Sequence, residues 1–197
     1  MIIIFNQTLI TIYAFPIILL VLLTAVSIAA VLLLWLRFCR ERDKTFVSVI
    51  MLLLSTFFIL AVTILSRDIG SGSELSLVPF SSWINYFKGN NEEFLRTNIF
   101  NMLLFMPFGA SLYAVRYTRS SFKSSLIITS VSAMLLSVLV ELGQWLLQCG
   151  EVETDDVIHN VLGAMIGVLL AKLVCDLYRN YICLLYTSPS PRDISGS

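Results

Sequence analysis

The stretch ELGQWLLQCGEVETDDVIHNVLGAMIG, residues 141–167, joins two apolar runs through a short acidic turn. The turn contains four carboxylates and no basic residue, and apolar residues dominate on both sides of it. A membrane helix needs about 20 mostly apolar residues. The stretch therefore predicts the end of one membrane helix, a tight turn and the start of the next helix, with polar side chains gathered at one level.

The composition of the whole chain agrees with a membrane protein. Of its 197 residues, 57% are hydrophobic and 13% are charged, with a mean hydropathy of +0.87, whereas a soluble domain carries about 25% charged residues. The formal net charge is zero, so nothing indicates a nucleic-acid partner. The chain has a single histidine, His159, and no paired cysteine spacing, so we expect no metal and no cofactor.

Five apolar runs are long enough to cross a bilayer. They occupy approximately residues 11–36, 46–66, 99–115, 125–148 and 157–175. Pro107 and Gly109 interrupt the third run, which is therefore the candidate for a broken or re-entrant helix. The predicted fold is an all-α integral membrane bundle of about five transmembrane helices.

The chain divides into three parts by composition. Residues 1–45 are expected to form an N-terminal membrane anchor helix and a basic loop, and residues 46–182 the main membrane domain. Residues 183–197, CLLYTSPSPRDISGS, replace the apolar pattern with proline, serine and charge. Because this segment resembles a translated adaptor sequence, we interpret it as a non-native tail.

Basic residues are concentrated in alternate loops. Four follow the first apolar run and three follow the third run, whereas the acidic turn has none. Cytoplasmic loops of membrane proteins carry an excess of lysine and arginine. We therefore predict that the N-terminus and the acidic turn face outside and that the C-terminus is cytoplasmic.

Glu141 is the least expected residue of the fourth run. It lies about 10 Å inside the helix end at 1.5 Å per residue, on the same face as Ser137 and Gln144. An ionised carboxylate at that depth costs several kcal/mol unless it is paired, hydrated or protonated. Glu141 is therefore the first candidate for a functional side chain.

Polar groups from other runs are expected at the same level as Glu141. The candidate catalytic side chains are Glu141, Asp155, Asp156 and His159, and the candidate binding or polar-cluster side chains are Asn98, Asn101, Gln144 and Asn160. Gly163 and Gly167 form a GxxxG pair, which predicts close packing of the fifth helix against a neighbour.

Each of these residues has both a structural and a functional interpretation, and both remain open. The amides can form hydrogen bonds between helices, and Asp155 and Asp156 can stabilise a helix N-terminus through its dipole. The functional classes are a binding protein, an embedded enzyme with Glu141 as general acid or base assisted by His159, and a transporter with Glu141 as proton relay. No inverted repeat supports transport, and no nucleophile triad or metal spacing supports an enzyme.

Four ordered motifs resemble those of the VanZ-like family. They are LVPF (77–80), NIFNMLLFMPFG (98–109), SVLVELGQ (137–144) and GEVETDDVIHNVLGAMIG (150–167), and the likeness covers approximately residues 60–175. The positions that match the family pattern are Asn101, Pro107, Gly109, Glu141, Gln144, Asp155, Asp156, Asn160, Gly163 and Gly167. The resemblance implies a small bacterial multi-pass membrane protein of the teicoplanin-resistance type.

The function expected from this resemblance is an action at the outer face of the bacterial cytoplasmic membrane. The expected partners are the lipid bilayer and either a glycopeptide antibiotic or a lipid-linked cell-wall component. The alternative is an embedded enzyme that acts on a lipid-linked envelope intermediate. The oligomeric state is left open.

Overall fold

The structure, a computed structural model, describes residues 41–65, 67, 69–70, 72, 75–88, 93–150 and 152–187, together with the single positions 26 and 29. The predicted anchor helix at 11–36 lies outside the described residues except for those two positions. Of the predicted tail, residues 188–197 also lie outside them, and residues 183–187 continue the last helix.

The described chain consists of long helices joined by short connections. In chain order, its elements are α1 (Glu41–Leu60), a π-helical continuation (Ala61–Leu65), β1 (Leu75–Ser76), α2 (Ser81–Phe87), α3 (Glu93–Arg116), α4 (Phe122–Leu147), β2 (Val152–Glu153) and α5 (Thr154–Thr187). The two strands pair in parallel, with Leu75 opposite Val152. The acidic turn of the sequence thus separates α4 from α5, as predicted.

Four segments of the described chain are long and apolar enough to cross a membrane. They are Asp43–Leu65, Thr97–Arg116, Phe122–Leu147 and Thr154–Asn180. These segments correspond to the second to fifth predicted runs, and the chain is a multi-pass, all-α membrane bundle. The predicted count of about five exceeds these four by the run at 11–36, which lies outside the described residues.

Pro107 does not break the third spanning segment, contrary to the prediction. α3 continues through Pro107 from Glu93 to Arg116. Proline removes one backbone donor from the helix, but transmembrane helices tolerate this loss where neighbouring elements pack around it. The adjacent side chains of Phe105 and Phe108 are buried, so packing on both sides of Pro107 outweighs the local cost.

Helices α3 and α5 run side by side in the same direction, and glycines set their separation. Gly163 lies against Met102, and Gly167 lies against Met106 and Ala110. A β-carbon on Gly163 would lie 2.7 Å from the carbonyl carbon of Met102, and one on Gly167 would lie 2.9 Å from the backbone nitrogen of Ala110. Real β-carbon atoms essentially never approach so closely, so this crossing requires glycine.

One end of the bundle, which we call the polar end, is where α1 and α4 end and α3 and α5 begin. The chain before α2, residues 69–80 where they are described, crosses this end and is called the strap. The N–H of Gly70 donates to the carbonyl of Leu147, and the N–H of Gly72 donates to that of Gln148, each at 3.1 Å. With the β1–β2 pair, these bonds fix the strap against the turn between α4 and α5.

The opposite end, where α3 ends and α4 begins, is called the basic end. Arg116 donates from Nη2 to the hydroxyls of Ser120 and Ser124 at 2.9 and 3.3 Å. Asp176 accepts from Lys172 and from Arg179, each about one turn away from it on α5. Basic side chains therefore predominate at this end of the described chain, and carboxylates predominate at the polar end.

Candidate functional site

Asp155 connects the first turn of α5 to the start of α2. Its carboxylate accepts the backbone N–H of Phe80 at Oδ1 and the hydroxyl of Ser81 at Oδ2, the latter at 3.4 Å. The side chain is 1% exposed, so the carboxylate is desolvated and depends on such partners. Phe80 has φ of 61°, a left-handed conformation that is an outlier for a bulky residue. Asp155 thus holds a strained residue at the N-terminus of α2.

His159, one turn further along α5, binds the same short helix. Its Nε2 accepts the indole Nε1–H of Trp83 at 3.1 Å, and its Nδ1 lies 2.6 Å from the backbone carbonyl oxygen of Asp155. An indole nitrogen only donates and a carbonyl oxygen only accepts, so the proton of the imidazole resides on Nδ1 and the ring is neutral. Both ring nitrogens of His159 are therefore occupied.

These contacts form a unit that we call the latch, consisting of Phe80, Ser81, Trp83, Asp155 and His159. It brings together two residues predicted as catalytic candidates, Asp155 and His159, and gives each a hydrogen-bonding partner on α2 or its N-cap. The planes of the imidazole and indole rings are only 24° apart and their centroids 6.2 Å apart, so the two rings lie nearly edge to edge along this hydrogen bond. The latch fixes α2 against the first two turns of α5.

Glu141 lies outside the latch, on the last part of α4. It is 6% exposed, and its Oε2 accepts the backbone N–H of Glu153 at 3.2 Å. The charged residues that act on it electrostatically include Asp156, Glu153 and Arg67. The guanidinium of Arg67 packs against Gly150, where a β-carbon would lie 3.1 Å from its Cζ. Arg67 is thus a cation in the surroundings of the Glu141 carboxylate.

Gln144 and Asn160 connect spanning helices by hydrogen bonds. Gln144 donates from Nε2 to the carbonyl oxygen of Thr63 at 3.0 Å, and Asn160 donates from Nδ2 to the hydroxyl of Ser137 at 2.8 Å. Both amides are at least 97% buried. In the described part of the chain, the buried amide oxygen of each has no hydrogen-bond partner. Each side chain thus has one structural bond and one unused acceptor.

The Ser137–Asn160 bond sets the register between α4 and α5. Because the two helices are antiparallel, Glu141 lies one turn nearer the polar end on α4, and Asp156 lies one turn nearer it on α5. The two carboxylates are therefore at the same level, in agreement with their electrostatic interaction.

Asn98 and Asn101 bring amides of α3 alongside the first three turns of α5. The contact of Met102 with Gly163 places Asn98 about one turn nearer the polar end than this contact, and Asn101 one residue nearer. Asn98 is 2% exposed. Among the described residues, the buried Nδ2 atoms of both asparagines have no hydrogen-bond acceptor.

The candidates thus separate into two groups. Asp155 and His159 belong to the latch, whereas the others form what we call the inner group, consisting of Asn98, Asn101, Glu141, Gln144, Asp156 and Asn160. The inner group combines carboxylates with amides that have unused donors and acceptors, which suits the binding of a polar ligand. Among the described residues, no group of three or more His, Cys, Asp or Glu side chains is placed to hold a metal ion.

The apolar runs predicted at 46–66 and 99–115 leave the residues between them as a connection, so α2 and its part in the latch were not predicted. A signal was present, because Phe80, Trp83, Ile84 and Phe87 recur at helical spacing after Pro79. No sequence signal marks Thr63 as the partner of Gln144, because its acceptor is a backbone carbonyl oxygen and every residue has one.

The model of the VanZ/LLP1 family matches residues 45–175, which include every candidate residue named above. No curated protein and no solved structure matches the chain. The matched region extends from α1 to the last part of the spanning segment of α5 and covers well over half of the sequence. The chain therefore belongs to the VanZ/LLP1 family.

Proposed function

We propose that this protein acts at the outer face of the bacterial cytoplasmic membrane on a glycopeptide antibiotic such as teicoplanin, or on a cell-envelope component. In this proposal, the inner group contacts the ligand and Glu141 is its central residue. The observation that carries the proposal is the burial of Glu141 among amides whose hydrogen-bonding capacity is only partly used. Buried polar groups in proteins are normally satisfied, so several unused ones towards the same end of the bundle support a binding role.

The charges of the inner group indicate the kind of chemical group that it would bind. Glu141 and Asp156 lie at the same level, with Arg67 as a cation that acts on Glu141. Carboxylates and amide oxygens accept hydrogen bonds. A cationic or hydrogen-bond-donating part of the ligand therefore fits the group best, and the Nδ2 atoms of Asn98 and Asn101 can donate to a neighbouring acceptor on the same ligand.

The residues at the two ends of the bundle support a proposal for its orientation in the membrane. The basic end carries Arg116, Arg119 and Lys123 between consecutive spanning segments. Since lysine and arginine favour cytoplasmic loops, we place the basic end in the cytoplasm. The polar end, with the inner group and the strap, then faces outside, where glycopeptides and exported envelope precursors are found.

An embedded enzyme is the second candidate, with a lipid-linked envelope intermediate as substrate. The buried position of Glu141 also suits a general acid or base. His159, which the sequence analysis predicted as its assistant, has both ring nitrogens engaged in the latch. In this version Glu141 transfers a proton without His159, which has a separate, structural part.

Glu141→Gln tests the proposal, with Glu153→Gln as its matched control. Glutamine keeps the shape of Glu141 and an oxygen for the N–H of Glu153, so we expect normal amounts of folded protein. Teicoplanin susceptibility and envelope turnover in cells that produce this variant should match those of cells without the protein.

The control removes the carboxylate of Glu153, in the acidic turn, but keeps the backbone N–H of Glu153 that bonds Glu141. We expect Glu153→Gln to retain activity. Full activity of a well-produced Glu141→Gln variant would refute the role of Glu141, and equal loss in both variants would assign the effect to the negative charge of the polar end as a whole.

A further inference from the structure

Helix α2 presents an apolar face away from the protein. The exposed large apolar side chains of α2 and the adjoining strap include Leu77, Phe80, Trp83, Ile84, Tyr86 and Phe87. Phe87 is the most exposed of them at 78%. The groups of this segment that point inward are polar, because Ser81 and the indole N–H of Trp83 bond Asp155 and His159. A helix on a water-exposed surface has the reverse arrangement.

From this arrangement we propose that α2 and the strap lie within the membrane leaflet at the polar end, as a surface that does not span and that lipid covers. The proposal does not depend on the function assigned to the inner group. A non-spanning helix with aromatic and aliphatic residues on its outer face is typical of elements that lie in the membrane interface.

The depth of α2 supports lipid as the occupant of this face. The spanning segment of α5, Thr154–Asn180, has 27 residues, which corresponds to about 40 Å of helix, whereas the hydrocarbon layer is about 30 Å thick. With the middle of this segment at the middle of the hydrocarbon layer, about 5 Å of helix extends beyond the layer at each end. His159 is about 7–8 Å along α5, so Trp83 lies near the boundary of hydrocarbon and headgroups.

The residue types also fit that boundary. Tryptophan and tyrosine are enriched at membrane interfaces, because their apolar rings can lie among lipid chains while their polar groups remain at the level of the headgroups. Lys88 follows α2 directly and is exposed, so its ammonium can reach the headgroups while its aliphatic part remains among apolar atoms. The exposed apolar faces of the spanning helices continue beside this surface; Trp145 and Leu146 at the end of α4 are 53% and 74% exposed.

This position has a consequence for access to the latch. The latch is covered by a helix whose outer face is apolar, so lipid rather than water adjoins it on that side. A molecule that displaces α2 from α5 therefore approaches through the leaflet and must itself be an amphiphile.

The test uses Trp83 as its own probe in the full chain. Trp35→Phe and Trp145→Phe remove the other tryptophans, and the variant is reconstituted into vesicles of phosphatidylcholine. Lipid brominated near the glycerol end of its acyl chains should remove most of the Trp83 emission, and iodide in the buffer should remove little of it. Strong quenching by iodide with none by brominated lipid would show that water covers α2. Protection from both quenchers would show that protein, such as a second copy of the chain, covers it, and either outcome overturns the proposal.

A second probe avoids the tryptophan replacements if these impair folding. Phe87→Cys is labelled with an environment-sensitive dye in a chain with Cys39→Ser and Cys183→Ser, because the remaining Cys149 and Cys175 are buried. A blue-shifted emission is expected for this site, and a water-like emission for the matched site Arg119→Cys at the basic end. A water-like emission at both sites refutes insertion of α2.

Discussion

Trp83 and His159 are joined by a hydrogen bond of 3.1 Å across 76 positions of the sequence. The indole N–H can only donate, so His159 accepts at Nε2 and carries its proton at Nδ1, facing the carbonyl oxygen of Asp155. The only histidine of the sequence thereby has a structural task that its spacing on α5 does not reveal. The bond also connects a short helix at the polar end to a spanning helix.

The effect of replacing His159 distinguishes this task from catalysis. His159→Gln retains an acceptor for Trp83, and we expect protein yield and activity close to those of the original chain. His159→Phe retains an aromatic ring but leaves the indole N–H without its acceptor, which should cost about 1–3 kcal/mol of stability. Thermal unfolding in detergent and the activity assay measure the two effects. An inactive but stable His159→Gln variant would instead indicate proton transfer by His159.

Asp155 should matter for stability more than an exposed ion pair does. Asp155→Ala leaves the N–H of Phe80 without its carboxylate acceptor and removes the contact that holds the left-handed conformation. We expect a loss of about 1–3 kcal/mol and loosening of α2, seen as altered Trp83 fluorescence.

The control for Asp155 is Asp176→Ala, which breaks a partly exposed pair at the basic end. That change should cost at most about 1 kcal/mol and leave Trp83 fluorescence unchanged. Equal unfolding temperatures for the two variants would contradict the importance of the latch.

The close crossing of α3 and α5 predicts opposite responses at two glycines. Gly163→Ala places a β-carbon against the backbone of Met102, which cannot move aside without separating the helices. Overpacking of this kind typically costs about 1–3 kcal/mol, and we expect reduced yield and a lower unfolding temperature.

Gly143→Ala is the matched change on α4, where the β-carbon would meet only the flexible end of Ile64 at 3.1 Å. Alanine is favoured over glycine in a helix by about 0.8–1 kcal/mol, so this variant should be as stable as the original or more stable. Similar behaviour of the two variants would argue against a backbone contact at Gly163.

The orientation of the bundle can be tested by labelling from outside the cell. In a chain with Cys39→Ser and Cys183→Ser, Lys88→Cys reports on the polar end and Arg119→Cys on the basic end. A membrane-impermeant maleimide applied to intact cells should label the first and not the second, and lysis should make the second reactive. Labelling of Arg119→Cys alone in intact cells would reverse the proposed orientation.

The membrane class and most of the spanning segments follow from the sequence, because the bilayer imposes a length and an apolar composition that can be read along the chain. The depth of the polar groups along their helices also follows from the sequence. Glu141 and Asp156 have fixed distances from the acidic turn, and a helix converts residue number into depth at about 1.5 Å per residue. The same turn places α4 and α5 antiparallel, so their polar residues meet at one end.

The division of those polar groups into the latch and the inner group was decided only by the tertiary structure. Hydrogen bonds between helices depend on rotation and separation, which come from contacts such as that of Gly163 with the backbone of Met102. Pro107 is a second feature that the sequence alone does not decide. Its local tendency to break a helix is outweighed by packing against neighbouring helices. The sequence determines which side chains lie at the polar end, whereas long-range contacts determine their partners, because donors and acceptors such as Trp83 and His159 become neighbours only when distant segments pack together.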